Sequence, residues 1–407
     1  MDKNGNLNLK EIFALAVQNQ QKNNLKVAQD LYDEILKIIP NHLGSLNNLG
    51  STLKALGEFQ KAKDCFEKAI EIDPNFVDVY NNLGATLVDL GEKQKAKDCF
   101  EKAIEIDPNH INALNNLGVV LKKLGESQKA IDCFEKIIEI NPNSIDTHSN
   151  LGLLFNGLGE FQKAIDCFEK VIEINPNSIS AYNDLGIIYR ELGDSYKAKD
   201  CFEKVITIDP KNIRSLNNLG VLFKELGDYQ KAKDCLEKVI EINPNYAEAH
   251  HKLGILFVDL GENLLGVSCF EKAIAINSNF INAYNDLGVL FQNLAEYQKA
   301  QSCYEKIIKI DPKNIKSLNN LGVLFNELKK YENAKECFEK AIAIDPNYVD
   351  AQMNISLTYI RDLNDFDKAI NLSLKVLKNQ QEELKFVNHS VSLFRFKHDA
   401  QQAKYLS

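Results

Sequence analysis

A single period governs this chain. All nine of its cysteines (Cys65, Cys99, Cys133, Cys167, Cys201, Cys235, Cys269, Cys303 and Cys337) step by 34 residues. Its nine prolines, from Pro40 to Pro346, keep the same step and skip one place, where Ser278 stands. Self-similarity at a fixed period means an array of one supersecondary unit, none of which can bury its apolar face alone. The period therefore limits the fold to a stack, and function has to be read from what varies between copies.

Numbering each unit from Leu43, Val77, Ile111, Ile145, Ile179, Ile213, Ala247, Ile281 and Ile315 gives nine full repeats over 43–348. Position 7 is Leu and position 8 is Gly in all of them, from Leu49 and Gly50 to Leu321 and Gly322. Position 15 is Gly except at Ala295 and Lys329, position 20 is Ala except at Gly266, and position 24 is aromatic except at Leu236. Leu46, Leu49, Gly50 and Leu53 make one helical stripe, which Gly57 stops. Ala62, Cys65, Phe66, Ala69 and Ile70 make a second stripe, which Asp73-Pro74-Asn75 ends. Small residues at positions 8 and 20 predict two closely approaching helices, with the position-24 ring beside them. The expected fold is all-α, a solenoid of stacked antiparallel helix pairs.

Weaker copies flank the nine. Leu15, Ala16, Ala28, Tyr32, Ile35 and Pro40 predict a divergent first repeat over 9–42, after a polar lead at 1–8. Ile355, Ser356, Tyr359 and Ala369 predict an eleventh unit over 349–382, with one residue inserted before Ala369. Residues 383–407 leave the pattern and suggest a helical cap or a linker. Drift at both ends is expected where a stack meets solvent.

These residues and spacings resemble the tetratricopeptide repeat (TPR). The resemblance implies a right-handed superhelix of about eleven units. It also implies a non-enzymatic protein-interaction scaffold, with the first helices lining its concave surface.

Composition narrows the partners. A net charge of −9 argues against general nucleic-acid or anionic-membrane binding. Charges such as Lys61, Asp64, Glu67, Lys68 and Glu71 read as a solvated outer face of second helices. The polar start and the lack of a long apolar run predict a cytoplasmic protein. One cysteine per repeat, at position 23, is too widely spaced for disulfides and reads as core packing in a reducing compartment. His148 and His250 occupy the position-4 core slot, and no HExxH, P-loop or GxSxG element is present. No metal, cofactor or enzymatic activity is expected.

At 100° per residue, positions 2, 5, 6, 9 and 13 of the first helix lie opposite the core positions. Position 6 of this face is Asn48, Asn82, Asn116, Asn150, Asp184, Asn218, Lys252, Asp286, Asn320 and, in the eleventh unit, Asn354. Position 5 is largely Asn as well. Asn is a poor interior helix former, yet its carboxamide both donates and accepts, so a row of them can hold a peptide main chain whatever its side chains. The row is similar to the asparagine ladder of the protein O-linked N-acetylglucosamine transferase superhelix, which implies peptide-backbone clamps. Asp184, Lys252 and Asp286 depart from it. Duplication without a ligand is the alternative.

Further features colour this face. Position 9 is mostly aliphatic (Val119, Leu153, Ile187, Val221, Ile255, Val289 and Val323), either for partner side chains or for packing. Lys54, Lys122, Arg190 and Lys224 at position 12 give a modest basic preference that would suit acidic peptides. Repeat 247–280 is unusual: Leu264 and Leu265 replace polar residues, Gly266 replaces Ala, and Ser278 replaces Pro. It predicts a kink, a docking point for a partner or a second copy, or simple repacking. The functional expectation is a scaffold that binds extended segments of protein partners. The alternative is a substrate-recruiting arm of a glycosyltransferase-like enzyme whose catalytic domain lies elsewhere. RNA reading is disfavoured by charge.

Overall fold

The structure, a computed structural model, describes residues 8–361. They form 21 helices, with no strand among the described residues. Two compact units divide the chain, one up to Lys204 and one from Val205, the junction falling inside the helix Ser195–Ile208. In the first unit, Leu9–Gln21 pairs with Leu25–Ile38, Leu43–Ala55 with Phe59–Ile72, and so on in the 34-residue register. In the second, the pairs include Ile213–Glu225 with Tyr229–Ile242 and Ala247–Asp259 with Asn263–Ile276; Val349–Arg361 is the last described helix. Within each unit the second helix of a pair also packs on the first helix of the next, which makes the solenoid of helix pairs that the period demands.

Position 8 shows why the hairpins are so uniform. A Cβ added to Gly50 would stand 2.6 Å from the Phe66 ring, and one on Gly118 would stand 2.7 Å from the Phe134 ring. Only glycine lets the first helix rest on that face. Phe66, Phe100, Phe134 and the position-20 alanines are fully buried, at roughly 3 kcal/mol per ring removed from water. The exceptional Leu236 keeps the arrangement, since a Cβ on Gly220 would lie 2.9 Å from its Cγ.

Both turns are equally uniform. The interhelix turn needs a left-handed residue at position 15, φ +79° at Gly57, so that the Glu58 N–H reaches the Leu53 carbonyl. Ala295 (φ 59°) and Lys329 (φ 57°) adopt the same strained conformation without glycine. Between repeats, the position-31 side chain accepts from the backbone two residues on, as Asp73 does from Asn75 at 3.0 Å. Asn277 accepts from Asn279 in the same way at 3.1 Å, so the helix before Ser278 ends at Ile276 in the usual register. The side-chain turn closes this loop without the proline. Gly266 is local repacking, because a Cβ there would meet Val258 Cγ2 at 2.7 Å.

Nine cysteines outside any disulfide follow the period, six half-buried and three buried. Burial pushes the Cys65, Cys99 and Cys303 thiols up to about 11, so they stay protonated and inert. His148 and His250 are satisfied core residues, each with Nε2 on the carbonyl of a loop proline, Pro142 at 2.9 Å and Pro244 at 3.0 Å. Asn8, placed above in a polar lead, is the N-cap of Leu9–Gln21 and forms a capping box with Glu11. The readings of 362–382 and 383–407 lie outside the described residues.

Candidate functional site

On the face of the first helices opposite the rings, the position-6 asparagines are half-buried, and five of them are bonded to the preceding repeat. Asn82 Nδ2 donates to Asn47 Oδ1 at 2.9 Å, Asn116 to Asn81 at 2.9 Å, and Asn150 to Asn115 at 3.4 Å. In the second unit, Asn320 donates to Asn285 at 3.1 Å and Asn354 to Asn319 at 2.9 Å. The rule is one bond between residues 35 apart, from position 6 of one repeat to position 5 of the repeat before. Each bond ties two first helices together and contributes about 1 kcal/mol.

The same bonds orient the amides. Among the described residues, the Oδ1 atoms of Asn82, Asn116, Asn150, Asn320 and Asn354 accept no hydrogen bond. An amide carbonyl can accept two, and these are fixed by the bond their own Nδ2 makes. Asn48, at the head of the series, instead accepts from Asn47 at 3.4 Å. Asp184 is half-buried at the same position in the first unit.

Two rungs in the second unit break the rule. Lys252 turns away to Glu248, Nζ to Oε1 at 2.8 Å, and Asn217 Oδ1 is left buried without a partner. Asn218, one residue on, has an equally buried Nδ2 without one. At the next rung, His251 Nε2 meets Asp286 Oδ2 at 2.8 Å. Burial raises the Asp286 carboxyl, but hydrogen bonds from His251 and Asn285 outweigh it and hold the group below its ordinary range. Sequence reasoning gave His251 no role. The signal lay in the coupled change of a position 5 and a position 6 exactly one rung apart.

The position-12 cations follow the same 35-residue offset. Lys54 pairs with Asp89 at 3.4 Å and Lys224 with Asp259 at 2.8 Å, while Gln292 donates to Glu327 at 2.7 Å. These exposed pairs contribute under about 1 kcal/mol each and largely neutralise the expected basic strip. Lys122 stays exposed because the corresponding residue of the next repeat is Gly157. Arg190 is half-buried. The aliphatic position-9 strip flanks the amides, with Leu153 and Val289 exposed. On the second helix of repeat 247–280, Leu264 is 82% exposed and Leu265 48%.

No group of three or more potential metal ligands occurs among the described residues, and no described helix is long and apolar enough to cross a membrane.

Known proteins bear on the repeat. Yeast Tom70 superposes with a TM-score of 0.53 at 16% identity, over 97% of this chain and 96% of that one, a likeness of fold. MamA is 30% identical over 40% of this chain and 94% of its own, with a TM-score of 0.38. YrrB, described as a TPR protein with an unusual peptide-binding site, is 24% identical over 46% of this chain and 95% of its own, with a TM-score of 0.41. No curated protein sequence matches. The tetratricopeptide repeat profile matches eight segments between residues 45 and 348, and a second profile of the same description matches the remaining one, 247–280. The chain belongs to the tetratricopeptide repeat family, and its repeats are those of a protein-interaction scaffold.

Proposed function

We propose that this protein is a non-catalytic scaffold whose ladder face binds extended segments of partner proteins through their main chain. One observation carries the reading. Five position-6 asparagines are held by their own Nδ2 and present an Oδ1 that accepts nothing among the described residues. A backbone N–H fills such an acceptor, and because every residue but proline has one, recognition tolerates many sequences. The amides are held before the ligand arrives, so little ordering entropy opposes binding.

Adjacent first helices stand roughly 10 Å apart and an extended chain rises about 3.3 Å per residue, so one rung serves about three residues. Each bond contributes about 1 kcal/mol, and several together leave modest affinity once the cost of association is met. The aliphatic position-9 strip supplies side-chain preference. Cysteines that form no disulfide favour work in a reducing compartment such as the cytoplasm.

The test is a random peptide library selected on the full chain. Selected peptides should bind at least tenfold more weakly to a variant with Asn82, Asn116, Asn320 and Asn354 changed to Ala and its helicity retained. Equal affinity would sink the clamp. A matched variant with Asn47, Asn81, Asn285 and Asn319 changed to Ala keeps these position-6 acceptors but frees them to turn, so it should lose stability and only a smaller part of the affinity.

A further inference from the structure

Positions 12 and 13 follow a pairing rule that one repeat breaks. Across the gap between neighbouring first helices, Lys54 meets Asp89 at 3.4 Å, Lys224 meets Asp259 at 2.8 Å and Gln292 meets Glu327 at 2.7 Å. Each pair joins position 12 of one repeat to position 13 of the next, 35 residues on. At Lys122 the acid's place is taken by Gly157, the last residue of the helix Ile145–Gly157. A Cβ on Gly157 would meet nothing within 4 Å, so the space that a carboxylate fills elsewhere is open.

No other group takes the acid's part. Asp89, Glu126 and Glu160 end the helices Val77–Asp89, Ile111–Leu124 and Ile145–Gly157 or stand just beyond them. Asp89 is held by Lys54, Glu126 by Lys97 and Lys129, and Glu160 by Lys163. Asn156, beside Gly157, carries no charge, and its buried Oδ1 has no partner. Lys122 and Lys123 are exposed, and neither has an ion pair or a side-chain hydrogen bond among the described residues. The last-turn carbonyls of Ile111–Leu124 account for two cations at that helix end, but not for the loss of the acid that meets such a cation elsewhere. Glu191, one first helix further on, is exposed and also lacks an ion pair among the described residues. It repels acids, so a preference for them is confined to the Lys122 side of Ile145–Gly157.

We infer that the gap left by Gly157 receives an acidic side chain of the bound segment, a glutamate or aspartate that pairs with Lys122 while Lys123 adds its charge. The inference rests on the ladder face being a peptide site. Asn116 and Asn150, whose Oδ1 atoms face the main chain in that reading, lie on the same two helices as Lys122 and Gly157. Asn116 is about 9 Å from Lys122 along the helix axis, within the combined reach of a lysine and a glutamate side chain. The amides hold the chain whatever its sequence, and the gap fixes one side chain and with it the register.

Fluorescence anisotropy on the full chain at low salt tests it, with labelled twelve-residue peptides of Gly, Ser, Ala and Leu carrying Glu, Gln or Arg at the centre. The glutamate peptide should bind at least threefold more tightly than the glutamine peptide and tenfold more tightly than the arginine peptide, and added salt should shrink both ratios. Gly157→Asp supplies the acid from within the chain, at a position whose backbone needs no glycine, and should bring the glutamate and glutamine peptides level. Gly157→Ala adds a side chain without charge and should keep the glutamate advantage. Lys122→Gln should remove it. A glutamate advantage that survives Gly157→Asp overturns the gap as the acid's seat. Equal binding of all three peptides, weakened in the ladder variant, overturns the inference and leaves the ladder standing. Absence of binding by every peptide overturns both.

Discussion

The ladder across residues 47–150 and the ladder across 217–286 sit on the same scaffold and do different things. In the first, three successive Asn–Asn bonds repeat one geometry. In the second, one rung is broken at Asn217 and Lys252, and the next is an imidazole on a carboxylate. Beneath both, the packing is alike: Gly84 lies against Phe100 as Gly254 lies against Phe270. The difference teaches that the interior and the ladder face are separable. Positions 8, 20 and 24 are fixed by the space between two helices, whereas positions 5 and 6 only have to satisfy each other across a rung, and so can exchange amide for charge.

The largest expected effect comes from breaking what the two regions share. Gly118→Leu forces a side chain into the Phe134 ring, and a thermal melt should show a loss of about 3 kcal/mol with partial unfolding. Asn116→Ala, in the same helix, should cost only about 1 kcal/mol.

Next comes the charged rung. The Asp286 carboxyl is held low, so its stabilisation is present above the unfolded value near pH 4 and is lost as pH falls through the lower folded value. Asp286→Asn should therefore destabilise by about 1 kcal/mol at neutral pH, a figure reduced for solvent screening. Melts taken downward from pH 4 should show the gap from wild type closing.

Lys252→Asn makes the second ladder resemble the first. It gives Asn217 Oδ1 a donor again and should raise stability by about 0.5–1 kcal/mol, read as a higher denaturant midpoint. The smallest effect lies outside the ladder. Lys329→Gly relieves a left-handed residue and should add about 0.5 kcal/mol, while the same change at an ordinary helical lysine such as Lys224 should lower stability.

The helix pairs were legible in the sequence because packing repeats its demands: eight of the nine position-8 glycines announce a ring sixteen residues later, and the ninth announces Leu236. The row of asparagines opposite the core positions was legible, but their half-burial and the use of each atom were not. Nδ2 of Asn82 meets Asn47 through the offset between repeats, and a helical wheel drawn for one repeat contains no such offset. For the same reason, Lys54 and Lys224 read as a basic strip until Asp89 and Asp259 were found beside them. His251 carries no signal within its own repeat, because its partner lies 35 residues away. At Ser278 the Asn277 side chain makes the same turn bond as its counterparts before proline, an equivalence that the missing proline conceals in the sequence.

The central claim is that the ladder amides accept from a peptide main chain. The most direct measurement compares a selected peptide with copies N-methylated at one residue in three, titrated against the full chain. N-methylation removes the backbone N–H and leaves every side chain in place. If the ladder accepts main-chain N–H groups, affinity should fall at least tenfold in one of the three methylation registers, and that difference should vanish in the ladder variant. Equal affinity for methylated and unmethylated peptides, in all three registers, would contradict the claim.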